Sequence, residues 1–290
     1  MTAIATRDLL SMTGQLNAGL LYVVATPIGH LGDLSRRAEE VLKRVQILAA
    51  EDTRRTRVLL DHIEHRVPEL VSLHEHNEAQ MTKKMIERLL AGVDVAVVSD
   101  AGTPLINDPG YVFVRAAHAA GINLVPIPGP CAITTVLSVC PLPCHPFSFI
   151  GFLPAKATAR RQLLENRMAE PDALVFLEAP HRILETLSDI SLLTSRQVMI
   201  GRELTKKFET LLVGEPRALI DRLGEQPKGE FTVVIEAAAA STVTRDAQSV
   251  LRVLLQELPP SKAAKMAAQI CEVKKSEMYT LALEISGAKS

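Results

Sequence analysis

The first 130 residues alternate between two patterns, and that alternation constrains the fold more than any other feature. Short aliphatic or β-branched runs, Leu20–Thr26, Val45–Ala50, Asp94–Ser99 and Ile122–Ile127, each end in a small or polar loop, and a helical pattern follows. The runs are apolar at successive positions, so both faces need cover, as in a parallel strand between two helix layers. The segments between them predict helices at about Asp33–Arg44, Thr53–His62, Asn77–Ala91 and Pro109–Ala120. Asp108 reads as an N-cap with Pro109 at the first helical position. Strand–helix alternation predicts an α/β domain with a mostly parallel sheet over residues 19–128.

Proline then punctuates the chain at 126, 128, 130, 141, 143 and 146, around a short apolar helix, Ala132–Val139. This reads as a hinge between domains. Strands resume at Phe147–Phe152, Ala173–Leu177, Gln197–Arg202, Thr210–Val213 and Phe231–Ala237. Their less regular spacing predicts a second α/β domain with a mixed sheet over 129–240. Residues 241–290 read as a tail of two or three helices, with Ser261 and Ser276 as candidate N-caps. Residues 1–18 read as an N-terminal extension without a secretory leader.

Composition excludes several classes. With 47% hydrophobic and 22% charged residues the chain is not a disordered one. Lys+Arg 32 against Asp+Glu 33 leaves no global basic field, so nucleic acid would need a local patch. Seven Phe, three Tyr and no Trp argue against a row of base-stacking platforms. Cys131, Cys140, Cys144 and Cys271 read as reduced thiols, and neither they nor His74 and His76 complete a metal-ligand set. No apolar run is long enough to span a membrane, so a soluble cytoplasmic protein is expected.

Ligands of open parallel sheets bind beyond the carboxyl ends of the strands. The loops there are Thr26–Asp33, Glu51–Arg55, Ser99–Pro104 and Pro128–Ala132. Their glycines allow close backbone approach. Neither a dinucleotide G-x-G-x-x-G nor a G-x-x-x-x-G-K-[ST] loop occurs, so no motif supports NAD or ATP.

Taken in order, Thr26–Gly29, Glu51–Arg54, Ser99–Pro104 with Asp108-Pro109-Gly110, and Pro128–Pro130 resemble the motifs of the tetrapyrrole methylase family. Gly151–Lys156, Glu178–Arg182, Arg202–Lys206 and Lys228–Glu230 extend the resemblance through the second half, to about residue 238. The resemblance implies a two-domain α/β fold, a homodimer, and S-adenosylmethionine in the cleft between domains. It is similar to a branch that methylates the ribose 2′-oxygen of a cytidine in the decoding region of 16S rRNA, so the small ribosomal subunit is the implied partner. The chain departs from that branch at Cys140-Pro141, where a Ser-Gly pair is expected, and at Cys131, where Ser is common.

On this resemblance the cofactor residues are Pro27, Gly29, Asp100, Ala101, Gly102, Thr103, Cys131, Ala132 and Leu177, with Gly229 and Thr232 as weaker candidates. Asp100 is the expected partner of the methionine ammonium or a ribose hydroxyl. Arg54, Arg55, Lys156 and Arg160 are the candidate RNA contacts, supported by Arg57, Arg161 and Lys207. A ribose hydroxyl is a poor nucleophile and needs alignment and a proton acceptor. Glu178, Arg182, Glu203 and Lys206 are expected to form one charged catalytic group, with Glu178, Glu203 or Lys206 as the base. A lysine base would need a lowered pKa. Two other functions fit the same residues: a methylase of a small tetrapyrrole, and a non-catalytic ribosome-associated module.

Overall fold

A computed structural model describes residues 18–238 and 245–286. Residues 1–17, and with them nearly all of the expected extension, lie outside the described residues. The described residues up to Ala237 form one compact unit that holds two five-stranded sheets; those from Ala238 on form a second unit.

The first sheet contains β1 (Leu21–Val24), β2 (Ile47–Ala50), β3 (Glu69–Ser72), β4 (Val95–Val98) and β5 (Leu124–Ile127) in the order β3-β2-β4-β1-β5. Every pairing is parallel. The four expected runs contain β1, β2, β4 and β5, and each is two or three residues longer than its strand. β3 was not expected: a four-residue edge strand after Pro68, only partly buried, has no apolar run to announce it. The helices are α1 (Arg36–Arg44), α2 (Thr53–His62), α3 (Glu78–Leu90) and α4 (Tyr111–Ala119). Strand residues alternate between the faces. Tyr22, Val24, Leu48, Ala96 and Val98 pack on α1 and α2 through Leu42 and Leu59. Leu21, Ile47, Val95 and Val97 pack on α3 and α4 through Met85, Leu89 and Phe113. From β1 the chain crosses to β2, and from β4 it crosses the opposite way to β5. The adjacent ends of β1 and β4 are therefore the switch point at which such sheets open a crevice.

Asp108 does not cap α4. The N-cap is Gly110, and the exposed helix N–H groups are met by Glu78, whose Oε1 accepts from Gly110 and Val112 at 3.0 and 2.9 Å. A carboxylate from the neighbouring α3 thus replaces the local cap and leaves the Asp108 side chain for the crevice.

The second sheet contains β6 (Phe147–Phe152), β7 (Ala173–Glu178), β8 (Val198–Arg202), β9 (Thr210–Gly214) and β10 (Phe231–Ile235) in the order β6-β7-β10-β8-β9. Only β6 and β7 are parallel; the other three pairings are antiparallel. One face packs on α6 (Ala157–Met168), α7 (Ile183–Leu193) and α8 (Pro216–Leu223) through Leu164, Ile183, Leu187 and Leu219. The other packs on α5 (Ala132–Ser138), whose Val136 is fully buried beside Val175, Met199 and Val234. The proline-rich link therefore contributes a core helix to the second lobe. Pro126 is tolerated in β5 because that strand is an edge.

The second unit holds α9 (Arg245–Glu257), α10 (Pro260–Ile270) and α11 (Lys275–Ile285) around Leu251, Ala264, Ala267 and Met278. Ser261 and Ser276 lie inside the first turns; Pro259 and Lys274 hold the cap positions.

Candidate active site

Two cavities open where the β1 and β4 loops meet the second lobe. The larger, about 300 Å³, is lined by Ala101, Gly102 and Thr103 after β4, Cys131 and Ala132 at the start of α5, and Leu177 at the end of β7. Its walls are largely apolar, with Ile28, Phe149 and Phe231, and Asp108 supplies a carboxylate. The smaller, about 210 Å³, is lined by Pro27, Gly29, Arg55, Asp100, Lys206 and Glu230 among others. Ile28, Ala101 and Glu230 border both. The nine cofactor candidates are thus divided: Ala101 borders both cavities, five others line the larger, and Pro27, Gly29 and Asp100 line the smaller.

Backbone geometry explains two glycines. Gly102 has φ +83°. Its N–H donates to the Thr26 carbonyl at 3.1 Å, and its own carbonyl accepts from the Thr26 N–H at 2.8 Å. The bridge holds the loop in a conformation that L side chains rarely adopt. At Gly29 a Cβ would stand 2.4 Å from Lys206 Cγ and 2.8 Å from Thr205 Oγ1. The missing side chain there serves the seam between the lobes, which His30 closes by donating its N–H to Thr205 Oγ1 at 3.1 Å.

Carboxylates gather under the β4 loop. Asp100 Oδ1 accepts from the Asp52 N–H at 2.8 Å, and Oδ2 lies 3.4 Å from Arg55. Burial, then the neighbouring Glu51 and Asp100, pushes the Asp108 carboxyl up to about 6 against a hydrogen bond from Ser99 that lowers it. Burial and Asp100 also raise Glu51. Asp108 was missed as a site residue because an Asp-Pro pair reads first as a helix start; its place in the Asp108-Pro109-Gly110 motif was the available signal.

The expected single catalytic group is two. Glu178 is 2% exposed. It accepts from Thr186 Oγ1 at 2.7 Å and from its neighbour Ala179 N–H at 2.8 Å, and pairs with Arg182 Nε at 3.2 Å. Arg182 also donates to the Leu153 carbonyl at 2.6 Å. Glu178 borders the larger cavity with its oxygens committed to the strand–helix junction. Lys206 belongs elsewhere: its Nζ lies 3.0 Å from Glu203 and 2.9 Å from Glu230, beside the smaller cavity. Burial pulls the Lys206 ammonium down, but these two carboxylates outweigh it and hold the pKa above its usual value. That is opposite to what a lysine base requires. Burial raises Glu203, yet the Glu230 N–H and Lys206 hold it net below the usual range.

The RNA candidates also divide. Arg160 is 2% exposed and pairs with Asp189 at 2.7 Å, so it is a core residue unavailable to phosphate. The expectation failed because helical periodicity places Arg160 on the inner face of α6, where the equally buried Asp189 of α7 meets it. Arg161 takes the other Asp189 oxygen at 2.6 Å. Arg54 and Arg55 are exposed on α2, with Arg54 engaging Asp52 at 2.6 Å; Lys156 is exposed at the N-cap of α6.

The two α/β lobes and the crevice at the switch point define the class: a two-lobed α/β protein with a small-molecule site beyond its parallel strands. The chain belongs to the family of tetrapyrrole (corrin/porphyrin) methylases, whose family model matches residues 20–220. A second model, the RsmI C-terminal HTH domain, matches residues 241–286. The chain is 47% identical over 269 residues to ribosomal RNA small subunit methyltransferase I of Xylella fastidiosa (strain Temecula1), covering 90% of this chain and 98% of that protein. It is 47% identical over 276 residues to the protein of that name from Escherichia coli O157:H7, covering 93% and 96%. Among solved structures, the methyltransferase CobJ is similar at TM-score 0.59 and 18% identity, covering 77% of this chain and 96% of that one. A Thermus thermophilus uroporphyrin-III C-methyltransferase complexed with S-adenosyl homocysteine is similar at TM-score 0.53 and 16% identity, covering 75% and 98%. The last two likenesses are of fold.

Proposed function

We propose that the chain is an S-adenosylmethionine-dependent methyltransferase of ribosomal RNA that methylates the ribose 2′-oxygen of a cytidine in the decoding region of 16S rRNA. The observation that carries the reading is the larger cavity. Three separate segments, from both lobes, bring Ala101–Thr103, Cys131–Ala132 and Leu177 to one cavity. Its volume lies at the lower end of the range for small-molecule sites.

The residues fit the cofactor. Apolar walls from Ile28 and the aromatic rings of Phe149 and Phe231 suit an adenine, and the Asp108 carboxylate suits the methionine ammonium. When bound, the cofactor supplies a methyl group already activated on a sulfonium. The smaller cavity then receives the ribose. Its lining includes Arg55, Asp100, Lys206 and Glu230 and no aromatic side chain, which suits a sugar–phosphate better than a planar macrocycle. Lys206, held cationic by Glu203 and Glu230, stabilises negative charge arriving there, and Glu203 positions it. Glu178 and Arg182 hold the β7–α7 junction that forms one wall. Arg54, Arg55 and Lys156 are the proposed phosphate contacts.

The relatives' name, shared across nearly their whole length, supports ribosomal RNA as substrate. The cytoplasmic location follows from that substrate, and the homodimer from the family resemblance. Among the described residues no helix is long and apolar enough to cross a membrane. The test is incubation with labelled S-adenosylmethionine and small ribosomal subunits, followed by nucleoside analysis. Label in 2′-O-methylcytidine is expected. Label in another nucleoside, or only in an added tetrapyrrole, overturns the reading. Light scattering tests the dimer.

A further inference from the structure

Two motifs leave residues that the proposed chemistry does not use. In Glu178–Arg182, Glu178 and Arg182 are spent on the junction, and Pro180 lines the larger cavity. In Lys228–Glu230, the Lys228 carbonyl accepts from Arg202 Nε at 2.6 Å, and Glu230 pairs with Lys206. What remain are the side chains of His181 and Lys228. Both are exposed, and neither makes a hydrogen bond or ion pair among the described residues.

These two side chains flank one groove of about 400 Å³. Pro180, Leu184 and Pro227 form its apolar walls, and Glu225 and Gln226 complete the rim. Pro180 is shared with the larger cavity. At the other side Gly229 leads directly to Glu230, which borders both cavities. The groove therefore adjoins the site where methyl transfer is proposed, across Pro180 and the Gly229–Glu230 step.

We infer that this groove holds the base of an RNA nucleotide adjacent to the methylated one, with that nucleotide's phosphate on Lys228. The inference rests on the proposed function. Prolines and an imidazole offer flat faces for a base to stack against, a contact that tolerates any base. Lys228 matches the backbone charge. Glu225 accepts hydrogen bonds only; the exocyclic amino group of adenine, cytosine or guanine meets it as a donor, whereas the single N3–H of uracil lies between two carbonyl oxygens that a carboxylate repels, so the rim disfavours uracil.

The test uses the full-length chain, labelled S-adenosylmethionine and small subunits. His181→Ala and Lys228→Ala should each lower kcat/KM by about fivefold or more, with cofactor Kd from calorimetry unchanged. Lys228→Ala should also reduce the log–log salt slope of subunit binding by about one, and Lys228→Arg should restore it. In subunits reconstituted with uridine at one neighbour of the target, the wild type should lose activity and Glu225→Ala should lose little more. Variants with wild-type kcat/KM and slope, on a wild type that methylates rRNA, overturn the groove alone. So does a loss matched by an equal loss of cofactor affinity. A wild type that transfers no methyl to rRNA overturns the functional reading, and this inference with it.

Discussion

Asp108→Asn separates the charge of the larger cavity from its shape. The carboxyl titrates at about 6 because burial and the nearby Glu51 and Asp100 disfavour its charge. Only the ionised form attracts an ammonium, so the competent fraction is about nine-tenths at pH 7 and about one-tenth at pH 5. The apparent Kd for S-adenosylmethionine should rise about tenfold across that interval. Asn keeps the shape and removes the charge. Its Kd should be about tenfold or more above wild type at pH 7.5, where a charge-assisted hydrogen bond is lost, and nearly flat down to pH 5. Stability moves the other way. The folded chain keeps this proton up to about 6 and the unfolded chain loses it near 3.8, so the group makes stability fall as pH rises through that window. Asn removes that cost, so the melting temperature at pH 7.5 should hold or rise. Calorimetric titration with a parallel thermal melt measures both. A wild-type Kd that does not change between pH 7 and 5, or an Asn variant with wild-type affinity at pH 7.5, refutes the assignment of Asp108 to the ammonium.

Arg160→Ala should destabilise the fold by about 3 kcal/mol, because Asp189 stays buried with only Arg161 beside it, while the salt slope of subunit binding is unchanged; urea melts and filter binding decide this. Lys156→Ala should lower that slope by about one, and Arg54→Ala by less, since Asp52 already engages its guanidinium. Gly102→Ala should cost about 1–2 kcal/mol in urea melts from its positive φ, and Gly102→Val should further lose cofactor binding by calorimetry, as a Cβ there already meets Ile28 Cγ2 at 3.2 Å. Lys206→Met should lower single-turnover methyl transfer by about tenfold with cofactor Kd unchanged; equal rates would remove Lys206 from the site.

Local pattern determined the alternation of buried strands and helices, the mixed second sheet and the loops that line the crevice. These follow from apolar runs and helix periodicity, which act over a few residues and are written in the order of the chain. Pattern could not show β3, whose four partly buried residues pair at an edge. It assigned Asp108 to a cap that Glu78, thirty residues earlier, supplies from another helix. It placed Arg160 on the surface because its partner Asp189 belongs to α7, and it joined Glu178–Arg182 to Glu203–Lys206 because both follow strand ends. Whether a charge is free, paired or buried depends on which side chain meets it across the fold. Only the tertiary structure decided that, because desolvation and Coulomb attraction act through space and not along the chain.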